Sequence, residues 1–446
     1  MSRMMHLGAF FAPSGHHTAS WRHPNAQADA AINISHQAEM ARLAERGKFD
    51  LIFLADSPAA RETHIESMKR STQYIANFEP LTLLSALAMV TERIGLVATA
   101  STTYCEPYHI ARFFASLDWL SGGRAGWNIV TTASPEAAFN FGRTELLEHD
   151  LRYDRAREFT EIVRGLWDSW DDDAFVRDKE SGLFFEPEKM HYLNHQGAYY
   201  SVRGPLNVPR PPQGHPILVQ AGSSSTGRGF AAEFADAIFT TSLQTYEARE
   251  YYADVKQRVA ACGRNPDHVI ILPGVTYCVA ETDAEAQAQY EYMLSLVHPI
   301  AAREMAALTL GHDLSPYPMD GPVPDLPPPN TSVGTYHSAM KLARDENLTI
   351  RQLSIRLATG RNRFVIVGSV KRVADVLEEW FTTGAADGFN ILPPYIPGAL
   401  EDFVNLVIPE LQRRGLFRTE YEGATLRENL GLPRPASRYA PTATPG

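Results

Sequence analysis

Three histidines, His16, His17 and His23, share the stretch SGHHTASWRHP with Trp21. Imidazole exchanges protons near neutral pH more readily than any other side chain, so this loop is a candidate acid/base site or substrate wall. Metal binding is the weaker account, because no carboxylate stands at useful spacing. A second chemistry is written in QAGSSSTGRGFAAEFAD, Gln220 to Asp236, where an apolar run leaves through Gly222, Ser223 and Ser224 and enters a helical pattern at Gly227. Backbone N–H groups at a helix start, helped by serine hydroxyls, suit a phosphate, and glycine lets the backbone approach it. An ordinary polar loop with serine N-caps accounts for the same residues, and both readings stay open.

Further polar residues stand where apolar runs end. Asp56 closes FDLIFLAD and Ser101, Thr102 and Thr103 close the next run, while Asn128 sits in the middle of GRAGWNIVTTA. Such residues can bond the polar edges of a cofactor, although Asn128 could equally be a satisfied core amide. His149 and Tyr153 lie four apart, on one face at a helix start, where capping or packing is the commoner role. His191 and His195 are also four apart, but Asn194 to Gly197 carries turn chemistry between two β-prone runs, so a hairpin is expected there and not a metal site.

These groups need a frame. Eight apolar runs read as strands: His6 to Phe11, Phe49 to Ala55, Ile94 to Ala100, Arg124 to Thr131, Pro216 to Ala221, Ala237 to Thr241, Val269 to Val279 and Phe389 to Leu392. Between them lie helical patterns at Ser35 to Arg46, Leu81 to Thr91, His109 to Leu120, Tyr153 to Trp170, Gly227 to Phe234, Tyr246 to Ala261 and Val370 to Thr383. Eight strands, each usually followed by a helix, predict an α/β fold of the TIM (β/α)8 barrel type, with its chemistry at the strand C-termini. We read residues 1–446 as one domain. Insertions fall at Asp171 to Pro212, between strands four and five, and at 281–364, between strands seven and eight. The second carries DGPVPDLPPPN and is expected to wrap over the barrel mouth as a lid. A C-terminal extension starts at Arg414 and should fray over 436–446.

Composition prunes the functions. A formal net charge of −11 argues against nucleic-acid binding and for a small-molecule substrate. Three scattered cysteines without C-x-x-C suggest a reducing, cytoplasmic setting. No apolar stretch approaches the roughly 18 residues of a membrane span. The chain lacks G-x-G-x-x-G, G-x-x-x-x-G-K-[ST] and G-x-S-x-G, which withholds support from a Rossmann dinucleotide site, a P-loop or a hydrolase elbow.

The segments FLADS (Phe53–Ser57), STTY-x-x-PY (Ser101–Tyr108), GR-x-GWN-x-VT (Gly123–Thr131), NFGR (Asn140–Arg143), QAGSS (Gln220–Ser224), GAADGFN-x-x-PP (Gly384–Pro394) and PELQRRGLFRTEYEG (Pro409–Gly423) resemble the luciferase-like flavin monooxygenases related to nitrilotriacetate monooxygenase component A. The resemblance covers nearly the whole chain. It implies a luciferase-like barrel that binds FMN as FMNH2, delivered by a separate NAD(P)H:flavin reductase, and uses O2 to insert one oxygen atom into a substrate beside nitrogen or sulfur. Carried over by position, it implies that Asp56, Thr102, Asn128, His149 and Tyr153 line the isoalloxazine and ribityl chain. Ser223 and Ser224 would hold the phosphate, and His17 would protonate or orient the activated oxygen. It also makes a homodimer or homotetramer plausible. Ala133 and the Pro13–Ser14 region depart from the alkane-oxidising pattern, and Thr309 departs from the sulfone-oxidising one. For a polycarboxylate substrate, Arg351, Arg356, Arg361 and Arg363 beside the lid are candidate partners, their alternative being solvated surface charge. The competing functions are a deazaflavin-dependent oxidoreductase on the same barrel and a metal-dependent barrel hydrolase. The hydrolase should carry H-x-H on the first strand, which here reads HLGAFF.

Overall fold

A computed structural model describes residues 3–60, 65–70, 72, 75–132, 134–222, 224–241, 244–328, 333–360 and 364–440. Eight parallel strands close a cylinder in the order β1 (His6–Phe11), β2 (Leu51–Leu54), β3 (Gly95–Ser101), β4 (Ala125–Val130), β7 (Ile217–Gln220), β8 (Ala237–Thr240), β9 (Ile270–Ala280) and β11 (Gly388–Leu392), the last pairing back to β1. All eight apolar runs therefore become barrel strands. Their alternation sorts two cores: Leu51, Phe53, Val97, Ile217, Val219, Phe239 and Leu272 fill the cylinder, while Ile52, Leu54, Leu96 and Ala98 pack outward against the helices. The helix His149–Trp167 presents Phe159, Ile162, Val163 and Leu166 to that outer layer.

The end of the cylinder away from the site is plugged. The helix Leu426–Asn429 starts in a capping box of Thr425 and Glu428, and Leu426, Leu430 and Leu432 join the interior cluster. Leu426 lies so close to Gly95 that a methyl group there would clash with it, so the glycine makes room for the plug. The chain from 436 does not fray at once: the Arg438 N–H donates to Asp168 at 3.2 Å and Tyr439 stacks on His191 at 4.1 Å. Docking in the groove beside the first insertion orders residues that low sequence complexity alone would leave loose.

Both insertions differ in detail from the sequence reading. The first holds the short hairpin β5 (His195–Gln196) and β6 (Ser201–Val202), but the Gly197 N–H donates to the Tyr200 carbonyl, so the turn lies beyond Asn194–Gly197. His191 bonds Asp171 and His195 bonds Glu158, each at 3.0 Å, and the two rings serve separate ion pairs. The second insertion is largely helical. Helices Pro299–Leu310, Val333–Asp345 and Ile350–Gly360 close a small core around Leu310, Leu314, Tyr336, Met340 and Leu353. Ala302 and Ala358 then pack against Ala19 of the histidine loop, whose Thr18 hydroxyl donates to the Ala358 carbonyl at 2.6 Å. A ninth strand, β10 (Phe364–Ser369), follows at once and pairs with the upper half of β9. Its apolar run FVIV begins at the residue where the sequence reading ended the lid, and a barrel count of eight gave no reason to look for another strand.

Candidate active site

The strand C-termini form a stitched rim. The Thr102 hydroxyl donates to the Val130 carbonyl at 3.2 Å and the Thr103 hydroxyl to the Thr131 carbonyl at 2.7 Å, while Thr132 donates to the Ser101 hydroxyl at 2.7 Å. The ends of β3 and β4 are thus locked together, and Thr102 keeps only its acceptor lone pairs for a ligand. Beneath this rim Asn128 faces into the cylinder. Its amide N–H donates to the Thr99 hydroxyl at 2.9 Å, but its Oδ1 is buried without a partner. An unpaired buried carbonyl is costly unless a donor arrives. Asn390 on β11 repeats the pattern, its Oδ1 unpaired against Gly8. The sequence reading did not single out Asn390, although an amide inside the apolar run GFNIL carries the same signal as Asn128.

Asp56 stands half-buried just past β2, where burial and the nearby Glu79 charge push its carboxyl up to about 6. His17 is buried beside Thr18, whose hydroxyl donates to the Ala358 carbonyl of the second insertion. Its Nδ1 accepts the Ala19 N–H at 3.2 Å, so the proton belongs on Nε2, which is buried and unpartnered. Burial, reinforced by His23, lowers the imidazole to about 4. His17 is therefore neutral at physiological pH and offers an N–H donor and not an acidic proton. His23 is stacked on Tyr395 at 3.8 Å, and His16 bonds the Phe10 carbonyl at 2.8 Å.

At the end of β7 the chain makes a cradle. Ser224 is the N-cap of the helix Ser225–Phe234, its hydroxyl accepting the Gly227 N–H at 3.0 Å. The capping account thus holds for Ser224 without removing it from the helix N-terminus. A Cβ on Gly227 would lie 3.0 Å from both the Gly222 Cα and the Tyr153 hydroxyl, so glycine permits the close approach of the two backbone segments and the phenol here. Ser223 lies outside the described residues. Tyr153 is buried with its hydroxyl toward this cradle, whereas His149 is half-exposed, bonded to Asp150 at 2.9 Å and 5.0 Å from the Tyr153 ring. The structure thus gathers Tyr153, Ser224 and the two glycines at one place and Thr102 and Asn128 at another, with His149 on the outer edge.

Arg351 pairs with Asp320 at 2.7 Å and Arg356 with Glu346 at 2.7 Å, both on exposed faces of the lid. These two are surface charges, contrary to a role in the pocket; Arg361 and Arg363 lie outside the described residues, as does Ala133. The Thr309 hydroxyl is turned back onto the Met305 carbonyl at 2.8 Å. Tyr104 and Arg152, which the sequence reading passed over, have buried polar atoms at the rim without partners.

A ring with N–H donors would satisfy Asn128 Oδ1, and an anionic ester would sit over the Gly222–Gly227 cradle at a helix N-terminus. The residues present therefore fit a flavin mononucleotide. The barrel and this rim define a redox enzyme class, and comparison with known proteins identifies it. The profile of luciferase-like monooxygenases matches residues 14–387. The chain is 51% identical over 447 residues to nitrilotriacetate monooxygenase component A of Aminobacter aminovorans, covering 98% of this chain and 99% of that protein. It is 50% identical over 441 residues to N-acetyl-S-(2-succino)cysteine monooxygenase of Bacillus subtilis (strain 168), with the same coverage. Among solved structures, the EDTA monooxygenase of Chelativorans sp. BNC1 superposes with a TM-score of 0.78 at 35% identity, over 97% of this chain and 99% of that one. The chain belongs to the luciferase-like monooxygenase family and is a flavin-dependent monooxygenase. Among the described residues no helix is long and apolar enough to cross a membrane.

Proposed function

We propose that this chain is the oxygenase component of a two-component system that takes FMNH2 from a separate NAD(P)H:flavin reductase. With O2, it inserts one oxygen atom into a small organic substrate next to nitrogen or sulfur, leading to C–N or C–S cleavage. The observation that carries the reading is the pairing of an unsatisfied amide oxygen at Asn128 with a glycine cradle at Gly222 and Gly227 on one barrel rim. Asp56, Thr102 and Asn128 would hold the ring, His149 and Tyr153 the ribityl chain, and Ser223 and Ser224 the phosphate. When bound, reduced FMN supplies the activation of O2 and the transfer of one oxygen atom, the other leaving as water.

The chain's own part is positioning and exclusion. Asn128 and Thr102 offer acceptors and His17 Nε2 a donor in a mouth roofed by the lid, which keeps water from the reacting centre. The absence of a Rossmann motif suits an enzyme that leaves nicotinamide to its partner, and the word "component" in one relative's name supports such a division. That relative and N-acetyl-S-(2-succino)cysteine monooxygenase are named for substrates with oxidisable carbon beside nitrogen or sulfur. A homodimer or homotetramer is the assembly we expect. The test is anaerobic titration with FMNH2, followed by turnover of nitrilotriacetate and thioether amino acids with NADH and a flavin reductase. We expect micromolar uptake and O2-dependent release of aldehyde or cleaved thiol. Absence of FMNH2 binding, or product formation without O2, would overturn the reading.

A further inference from the structure

We propose that Tyr104, Arg143 and Arg152 form a carboxylate-binding subsite at the rim between β3 and β4, and that the substrate is an organic anion anchored there. This deepens the reading of the site above and rests on it.

Three elements converge to build the cluster. Tyr104 follows β3, its N–H reaching the Ser101 hydroxyl at 3.4 Å, and its ring stacks on Phe141 with centroids 4.7 Å apart. Its hydroxyl is buried without a hydrogen-bond partner. Arg143, two residues beyond Phe141, is half-buried, and among the described residues no carboxylate pairs with its guanidinium. Arg152 is 7% exposed on the helix His149–Trp167. One guanidinium nitrogen donates to the Thr132 carbonyl at 3.0 Å, which fixes its place beside β4, while its Nε stays unpartnered. Tyr104 and Arg152 meet at the stitched loops, where the Ser101 hydroxyl accepts both the Tyr104 N–H at 3.4 Å and the hydroxyl of Thr132, the residue whose carbonyl holds Arg152, at 2.7 Å. Burial raises the Tyr104 hydroxyl, and the charges of Arg143 and Arg152 both act against that rise.

Of the other buried arginines, Arg210 is matched by Asp168 at 3.1 Å and Arg427 by Asp236 at 3.0 Å, while Arg124 donates to the Ser121, Ala88, Thr91 and Ile94 carbonyls and the Thr91 hydroxyl. Arg152 has neither a matching acid among the described residues nor a partner for its buried Nε. A buried guanidinium with an orphaned Nε beside an unpaired phenol hydroxyl is unfavourable unless an anion completes them, and the half-buried Arg143 adds a second positive charge. Planar guanidiniums and a phenol hydroxyl suit a carboxylate, accepting charge-assisted bonds on both oxygens. A phosphate offers the same charge, but the Gly222–Gly227 cradle already suits the cofactor's ester at the end of β7. Tyr153 serves that cradle while the adjacent Arg152 turns to the Thr131–Thr132 loop.

The experiment is anaerobic calorimetry on the full chain, with and without FMNH2, using nitrilotriacetate, N-acetyl-S-(2-succino)cysteine and their fully amidated counterparts. We expect at least one carboxylate to bind the wild-type chain and its amide to bind at least on the order of 10-fold more weakly. Arg143→Ala and Tyr104→Phe, which break no side-chain hydrogen bond among the described residues, should each weaken carboxylate binding by about 10- to 100-fold. Both should leave FMNH2 affinity within about twofold, and Arg143→Lys should recover part of the loss. The proposal fails if FMNH2 binds but neither carboxylate does, or if carboxylate affinity is unchanged in Arg143→Ala. It also fails if that variant loses FMNH2 affinity instead, which would give the cluster to the phosphate. Failure of the wild type to take up FMNH2 at all strikes the flavin reading, and the flavin-free titration then reads the subsite alone.

Discussion

His17 ties the chemistry of the mouth to the pH range in which the fold survives. Its imidazole is lowered to about 4 by burial and by His23, whereas in the unfolded chain it titrates near its ordinary 6.5. Between those values the unfolded state holds the extra proton, so stability is complete above about pH 6.5 and is lost as pH falls toward 4, by on the order of 3 kcal/mol. We expect thermal midpoints measured from pH 7 to pH 4 to fall less steeply in His17→Gln than in the wild type; parallel curves would remove His17 from the account. Asp56 shifts the other way, its carboxyl raised to about 6 by burial and Glu79. In the proposed ring-binding role an ionised carboxylate accepts an N–H more strongly than a protonated carboxyl does, so FMNH2 affinity should strengthen as pH climbs from about 5 to about 7. The cofactor's phosphate ionises in the same range. The diagnostic is therefore the difference between wild type and Asp56→Asn, which should vanish below pH 5 and grow above it. At Gly227 the argument is steric. A methyl group 3.0 Å from Tyr153 Oη and from Gly222 Cα crowds the cradle. Gly227→Ala should weaken FMNH2 at least tenfold while hardly changing reduced riboflavin, and equal losses for both would put the phosphate elsewhere.

At the scale of elements, the barrel strands were legible and the lid only in part, for a physical reason. A strand buried on both faces shows as a continuous apolar run, as in FDLIFLAD or IILPGVTYCVA. The helix Asp283–Ser295 buries only Ala286 and Met293, so it has no apolar stripe to read. Helix Pro299–Leu310 is likewise weakly patterned, whereas Val333–Asp345 and Ile350–Gly360 carry apolar stripes as marked as that of His149–Trp167 and were readable in principle. In the site, small polar residues at strand ends announced Thr102 and the glycine–serine turn. Tyr104 and Arg152 could not be picked out, because their significance is the missing partner, which arises only when the β3 and β4 loops are stitched together. That separate lid core makes a prediction: Leu353→Ala, a buried truncation among Leu310, Tyr336 and Met340, should cost about 2–5 kcal/mol locally. Hydrogen exchange should quicken over Pro299–Gly360 and leave β1–β4 protected. Uniform loosening of the whole chain would mean that lid and barrel unfold as one unit.

Across the whole molecule, the two ends of the cylinder divide stability from chemistry, and Arg427 is where this can be measured. It is 4% exposed at the plugged end, donating to Asp236 Oδ2 at 3.0 Å and to the His215 carbonyl at 3.0 Å. Burial alone would raise Asp236, but Arg427 holds its carboxyl below the usual range. Arg427→Met would leave that carboxylate buried with the Leu218 N–H at 3.0 Å and a distant Arg264 at 4.0 Å, a loss of about 3–5 kcal/mol. It would also remove the side-chain bond to the His215 carbonyl, while the residue's own N–H keeps its bond to Gln213 Oε1 at 2.9 Å. Because the Gly222–Gly227 turn and the rim of β3 and β4, the proposed flavin site, lie at the opposite end, the folded fraction of this variant should bind FMNH2 as the wild type does. A lowered denaturant midpoint with intact affinity is the expected pair of results. Loss of FMNH2 binding at an unchanged midpoint would mean that the plug reaches the mouth through the barrel core, and that the layers between Leu426 and Asn128 do not insulate one end from the other.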